Sequence, residues 1–232
     1  MSTVHGGQGS IITQGLVLRL DAANPRSYEP PYTSTTWRDI SGNGNNGTLT
    51  NGPTFNSANG GSIVFDGVDD YVNLGNNSIY NITSINNFTI NLWLIRFTTN
   101  LGIGVLHKGI ISGFDYDWMV YLGGGSNTVA FYKKNTSNAA VAVNGFTFSL
   151  NTITNISIVL SSDVVYFYKD GVFTNSASMV GNIRTTSNPF KIGRGWDGSL
   201  NGRVYQAQMY NRALSSTEVL QNFNATRARF GI

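Results

Sequence analysis

Three aspartates, Asp66, Asp69 and Asp70, fall within five residues of one another on a turn that also holds Gly67. Calcium takes several hard oxygen ligands from carboxylates, amide side chains and backbone carbonyls. Such a turn concentrates carboxylates at small cost, so these three are the first candidates for a metal site, with Ca²⁺ as the one expected cofactor. Asp39 and Asn43 are weaker candidates. A plainer role is open to the same residues, because an Asp-Gly turn uses aspartate for its conformation and Asp70 can hydrogen-bond neighbouring main chain.

A sugar offers an apolar face that stacks on aromatic rings and hydroxyls that seek amides and carboxylates. Trp196 has Arg194 and Asp197 beside it, and Trp118 follows Asp115, Tyr116 and Asp117. Trp196, Asp197, Arg194, Trp118 and Tyr116 are therefore the candidate glycan-binding residues. Trp196 suits stacking and packing equally, Trp118 leans toward packing, and Trp93, inside an apolar strand, reads as core.

Catalysis finds little to work with. Glycoside hydrolysis on a sandwich needs paired carboxyl groups, and the only glutamates are Glu29, in a proline-rich loop, and Glu218, at a helix start. Asp115 and Asp117 would share one face of a strand, but they read better as a polar lead-in to Trp118. His5 and His107 lack a nearby nucleophile pattern. With no cysteine, disulfides and thiolate zinc sites are excluded. No catalytic residue is assigned, and the protein is expected not to be an enzyme.

The elements that must position these residues are β-strands. Hydrophobic residues make up 41% of the 232, enough for a core, whereas only 12% are charged, so Asn, Ser, Thr and Gly cover the surface. The net charge of +3 is spread thinly, with a doublet at Lys133-Lys134 and a short basic tail at Arg227 and Arg229. Nucleic acid is not an expected partner. No apolar run reaches the roughly 18 residues of a membrane span, and the first residues lack a Sec-type signal pattern. Membrane insertion is not expected, and synthesis in the cytosol is.

Residues 1–14 are rich in Gly, Ser and Gln and are expected to form a flexible or partner-ordered arm. Residues 15–232 form one domain. Period-two alternation marks strands such as Phe88, Ile90, Leu92 and Leu94, and Asp170-Gly171 between β-formers signals a hairpin. Ser215 through Glu218 fits a helix capping box. Many short strands and one short C-terminal helix predict an all-β jelly-roll sandwich of two antiparallel sheets.

Several runs then resemble one family in the right order. They are Gly15-Leu16-Val17-Leu18-Arg19-Leu20-Asp21-Ala22, Trp37 through Gly47, Val64-Phe65-Asp66-Gly67-Val68-Asp69-Asp70-Tyr71-Val72, Val165 through Gly171, Leu200 through Val204, and Tyr210 through Ser215 with Glu218. Together they resemble the laminin G-like domains of the concanavalin A-like lectin/glucanase superfamily, and Asp21-Ala22-Ala23-Asn24-Pro25 with Asn222-Phe223-Asn224-Ala225-Thr226-Arg227 resembles the form common in bacteriophage structural proteins. The resemblance implies a non-catalytic virion surface protein: capsid decoration or cement, head fibre or tail appendage. Other virion proteins and host surface glycans are its implied partners, the virion surface its implied location, and a homo-oligomer its implied state. Calcium at the sandwich rim is common in the family, which supports the aspartate turn. The alternative is a calcium-assisted carbohydrate-binding adhesin, a lectin module with no tie to a capsid.

Overall fold

Alternation of apolar and polar residues gives each strand one side that must leave water, and two antiparallel sheets meet over those sides. The computed structural model describes residues 9–82, 87–99 and 101–232. The strands are β1 (Leu16–Asp21), β2 (Thr36–Trp37), β3 (Gly47–Thr50), β4 (Thr54–Asn56), β5 (Ser62–Asp66), β6 (Tyr71–Asn73), β7 (Phe88–Arg96) and β8 (Ile103–Gly109). They continue as β9 (Tyr116–Leu122), β10 (Thr128–Lys134), β11 (Ala140–Thr147), β12 (Thr154–Ser161), β13 (Val164–Lys169), β14 (Val172–Ser178), β15 (Phe190–Ile192) and β16 (Asn201–Tyr210). Sheet A runs β14-β13-β12-β7-β16-β5-β4, with β1 also paired to β16. Sheet B runs β11-β10-β9-β8-β15-β6-β3-β2. The predicted two-sheet sandwich with one C-terminal helix is the fold observed.

Leu92, Leu94, Ile156, Ile158 and Phe167 of sheet A and Val105, Trp118, Val120, Phe131 and Ile192 of sheet B are buried in one cluster. Aromatic rings bridge the layers: Phe88 of sheet A lies 6.1 Å from Trp118 and 5.6 Å from Phe131 of sheet B, and within sheet B Phe190 lies 5.0 Å from Trp118. In β16 a bulge between Val204 and Gln206 breaks the simple alternation. Val204, Ala207 and Met209 all reach the core, and the opposite side carries Gln206, Gln208 and Tyr210.

The Asp170-Gly171 pair joins β13 to β14 with both residues at positive φ, 50° and 76°, the conformation of a type I′ hairpin. A Cβ on Gly171 would sit 2.9 Å from Phe223, so glycine also lets this turn back onto the helix α1 (Ser216–Asn224). Val219 and Phe223 of α1 cover the outer side of sheet A. Trp93 stacks there on Phe223 at 5.5 Å. It is buried as expected, but in a second layer outside the sheet.

The helix start forms the predicted capping box: Glu218 N donates to Ser215 Oγ (3.2 Å) and Ser215 N donates to Glu218 Oε2 (2.9 Å). Of the arm, Ile11 is buried, Ile12 N donates to Asn222 Oδ1 (2.8 Å), and Tyr210 Oη donates to Ile12 O (3.0 Å). Residues 10–14 are thus docked on α1 and β16, because two isoleucines there have an apolar seat. Residues 1–8 of the expected arm lie outside the described residues. No helix among the described residues is long and apolar enough to cross a membrane.

Arg212 grips both oxygens of Glu218, at 2.6 and 2.9 Å. These hydrogen bonds, helped by the Ser215 backbone and the Arg212 charge, hold the Glu218 carboxyl down to about 2. A carboxyl depressed in the folded state contributes stability that is present above its unfolded value, near 4.5, and lost as pH falls toward 2. The pair is about a quarter exposed, so solvent screens much of it. Glu218→Gln is expected to cost about 1 kcal/mol at pH 7 and little at pH 2, as read by urea denaturation at both.

Candidate functional site

The segment 193–199 between β15 and β16 links two parts of the rim. It folds on itself, with Gly195 N donating to Gly198 O (3.0 Å) and Leu200 N to Gly193 O (2.7 Å). It also lies directly on β8: a Cβ on Gly195 would meet Gly104 N at 2.8 Å, an approach that only glycine permits. Asp197 Oδ1 accepts from Gly104 N (3.2 Å). On the other side, Arg194 Nη1 donates to Asp69 O (2.9 Å) and Ser199 Oγ to Val68 O (3.0 Å). One short segment thus ties the aspartate turn to sheet B.

In the aspartate turn, ligand oxygens of Asp66, Asp69 and Asp70 lie within 4.8 Å of one another. Each carboxylate spends one oxygen on the turn. Asp70 Oδ2 accepts from Asp66 N (3.0 Å), Asp66 Oδ1 from Val68 N (2.8 Å), and Asp69 Oδ2 from Asn51 Nδ2 (3.0 Å). The conformational role and the metal role are therefore compatible. Among the described residues no lysine or arginine forms an ion pair with any of the three. Burial, and then the charges of Asp66 and Asp69, push the Asp70 carboxyl above its ordinary value, against the pull of the Asp66 backbone. Hard oxygens with uncompensated negative charge are a donor set that suits a divalent cation such as calcium.

The outer side of sheet B carries the second part of the site. Cross-strand register lines up Asn73, Lys191, His107, Met119 and Tyr132 in one row. At its edge Phe114, half exposed, meets Trp196 edge-on at 4.5 Å and Tyr116 at 5.3 Å. Tyr116 lies 6.4 Å from His107, and Lys134 Nζ sits over the Phe114 and Tyr116 rings at 5.4 and 5.3 Å. Four buried polar atoms here, His107 Nδ1 and Nε2, Tyr116 Oη and Trp196 Nε1, have no hydrogen-bond partner among the described residues. Each such atom costs about 1–3 kcal/mol if left unpaired, and the surface of this edge is formed by the partly exposed rings of Phe114 and Trp196.

Burial, with Lys191's charge second, pushes His107 down to about 3, so its ring is neutral. Lys191 is itself lowered to about 8 by burial and by Lys108, and its ammonium donates to Gly109 O. Burial raises the Asp197 carboxyl, opposed by backbone N–H groups, the Tyr121 hydroxyl and Arg96.

Of the residues expected to bind glycan, Arg194, Trp196 and Asp197 come together on this one segment, with Trp196 partly exposed. Trp118 does not join them. It points into the core beside Val120 and Phe131, and its Nε1 donates to Tyr80 O (3.0 Å), so no ring face is open to a sugar. Tyr116 is likewise buried beneath Phe114 and contributes at most its hydroxyl. Phe114 and His107 were not singled out as binding residues. The one signal for Phe114 was an aromatic residue in the polar run Ser112-Gly113-Phe114-Asp115.

The remaining carboxylates have structural work. Asp117 is buried between Lys108 Nζ (3.2 Å), Arg184 Nε (3.3 Å) and Thr186 N (2.9 Å), and Asp115 pairs with the same Arg184. Glu29 is held by Arg38 at 2.7 Å. Asp39 accepts from Arg19 N, Ser41 N, Ser41 Oγ and Asn45 N, all within 2.9 Å, and Asn43 donates its amide to Leu16 O. Asp39 and Asn43 therefore shape the Gly/Asn-rich loop, and Asp39 has no oxygen left for a metal.

The family profile Laminin_G_3, described as the concanavalin A-like lectin/glucanases superfamily, matches residues 66–220. Among solved structures, the binding domain of Paraclostridial Mosquitocidal Protein 1 aligns at a TM-score of 0.71 and 19% identity, over 91% of this chain and 52% of that one. Domain 4 of AbnA, an extracellular GH43 arabinanase from Geobacillus stearothermophilus, solved with arabinotriose, aligns at 0.67 and 17%, over 89% and 97%. The Trypanosoma rangeli sialidase aligns at 0.65 and 16%, over 93% of this chain and 33% of the other. The chain thus spans about half of the toxin binding domain and nearly all of the arabinanase domain. At these identities the likeness is one of fold. Among curated proteins none matches the sequence.

His107 supplies a test of the buried face. Its folded value, about 3, lies below the ordinary 6.5. Between those values the unfolded chain carries a proton that the folded one lacks, so stability falls as pH drops through that window. Wild type is expected to lose about 1 kcal/mol between pH 7.5 and 5.5, and His107→Gln to lose much less, by urea denaturation.

Proposed function

Because the chain belongs to the concanavalin A-like lectin/glucanases superfamily, we propose that it is a non-catalytic carbohydrate-binding module, a lectin-type adhesin. It takes a sugar at the rim of sheet B, against Trp196 and Phe114. The observation that carries this reading is the edge-on pair of partly exposed rings, Phe114 and Trp196, on a rim segment that also holds Arg194 and Asp197. A sugar supplies an apolar ring face for the rings and hydroxyls that donate to and accept from polar side chains of the rim. Arg194 and Asp197 position the segment that holds Trp196.

Asp66, Asp69 and Asp70 would hold calcium, which would neutralise the turn to which Arg194 and Ser199 are tied. The ion's part is to fix that segment and so the height of Trp196 above the sheet. The carboxylates support the non-catalytic reading. Glu29, Glu218, Asp115 and Asp117 are all bound by arginine or lysine, and a neutral, buried His107 is out of reach of a substrate hydroxyl.

The comparisons support binding ahead of capsid decoration. One structural neighbour is a toxin's binding domain and another was solved with arabinotriose, while neither the family match nor the neighbours point to a virion. The adhesin reading therefore stands in place of the decoration role.

A glycan array probed with and without calcium tests this. Specific binding is expected, with Trp196→Ala weakening it about tenfold, or 1.4 kcal/mol, while the fold's thermal midpoint is retained. A chelator and Asp69→Asn are both expected to lower affinity, and millimolar calcium to raise the midpoint of wild type by mass action. An array blank in both conditions rejects the carbohydrate role. Binding indifferent to chelator and to Asp69→Asn rejects the ion's part in it.

A further inference from the structure

Where β4 ends sheet A and β2 ends sheet B, a groove of about 270 Å³ runs between the loop before β2, Leu49 of β3 and the chain entering β4. Its lining holds three aromatic rings, Tyr28, Tyr32 and Phe55, and no charged side chain. Tyr32 and Phe55, both partly exposed, lie nearly parallel, with centroids 3.9 Å apart and planes 8° apart. Buried Tyr28 backs them at 6.0 and 5.7 Å. Exposed Thr33, Thr35 and Thr54 bring hydroxyls to the same groove.

Tyr32 is held where its backbone is strained. Its φ is 64°, whereas every other non-glycine residue at positive φ among those described is Asn, Asp or Ser. A bulky ring residue is disfavoured there, because its Cβ crowds the main chain and no short polar side chain compensates. The loop imposes this conformation from both sides. Tyr32 N donates to Glu29 O (2.9 Å), and Tyr28 Oη donates to Tyr32 O (3.2 Å) and Ser34 O (2.8 Å). Asn or Gly at this position would keep the same main-chain bonds with less strain. What tyrosine adds is its ring, stacked on Phe55 and open in part to solvent. A strained residue fixed by its surroundings points to a role in binding.

The lining selects the ligand. Flat apolar rings stack on the C–H face of a pyranose, while threonine hydroxyls donate to and accept from its hydroxyls. With no charge in the groove, neither a carboxylate nor an ammonium finds an ionic partner there. A proline-rich segment also suits an aromatic groove, but its carbonyls only accept, so it uses half of what the hydroxyls offer.

We propose that this groove is a second sugar contact, taking a neutral pyranose unit of a glycan against Tyr32 and Phe55. It deepens the adhesin reading, on which it rests for the class of ligand, and its lining includes no residue of the Trp196 segment. Two contacts on one chain raise the affinity for a glycan long enough to reach both.

Saturation-transfer NMR of the full chain with the methyl glycosides of glucose, galactose and mannose tests it, with sodium glucuronate and a hexaproline peptide alongside. At least one neutral glycoside is expected to bind in the Trp196→Ala chain, where the sheet B contact is disabled, and to bind better than glucuronate or hexaproline. Tyr32→Asn in that chain suits the backbone but lacks the ring. It should weaken binding at least tenfold while keeping the thermal midpoint, since relieved strain offsets the lost packing. Thr54→Arg, at an exposed position, fills the groove and should weaken binding as well, which guards against a folding defect in the Tyr32 variant. Full binding in both variants, or preference for glucuronate or hexaproline, overturns the second contact. Glycoside binding by wild type that vanishes in Trp196→Ala rejects the groove and leaves the adhesin reading standing. No binding by wild type rejects both.

Discussion

The burial of two sheet faces against each other, through Trp118, Phe88, Phe131 and Phe190, is the constraint on which the rest of the molecule depends. Because side chains alternate along a strand, committing one side to the core commits the other to the outside. The two outer sides then meet different ends. That of sheet A is covered by α1 and by Trp93, Tyr205, Phe223 and Phe230. That of sheet B has no described helix over it, and there the unpaired polar atoms and the Phe114–Trp196 rings gather.

Buried charge holds the rim of sheet B in place. Lys108 Nζ donates to Thr186 O and Asn188 O and faces Asp117, and Lys133 Nζ donates to Met179 O and Gly181 O. Burial lowers both ammonium groups from their ordinary values, so these contacts are poor sources of net stability. Their effect is geometric. They pin the long connection from Met179 to Asn188 onto sheet B, and that connection leads into β15 and the Trp196 segment.

The sheet B edge and the acidic turn are surface features that the fold places side by side through Arg194 and Ser199. On the sheet B edge partly exposed rings, Phe114 and Trp196, stand on or against a segment with Arg194 and Asp197, which suits a neutral sugar. The acidic turn gathers three carboxylates that form no ion pair with a basic side chain among the described residues. Neither is needed to close the core.

What the sequence determined by itself is what short-range physics decides. Ser215 and Glu218 are three residues apart, so the capping box was legible, as were the Asp170-Gly171 turn and the alternation in β7. The clustering of Asp66, Asp69 and Asp70 was legible for the same reason. Only the tertiary structure decided which tryptophan faces outward, because Trp118 and Trp196 have similar polar neighbours and differ in what packs on them. It decided the β16 bulge, which sends Ala207 inward and Gln206 outward through pairing with β7. It also decided that residues 10–14 have a seat, and that Arg229 meets Asp21 across 208 positions of chain. Contacts of that separation depend on how strands are ordered in a sheet, and no local spacing encodes that order.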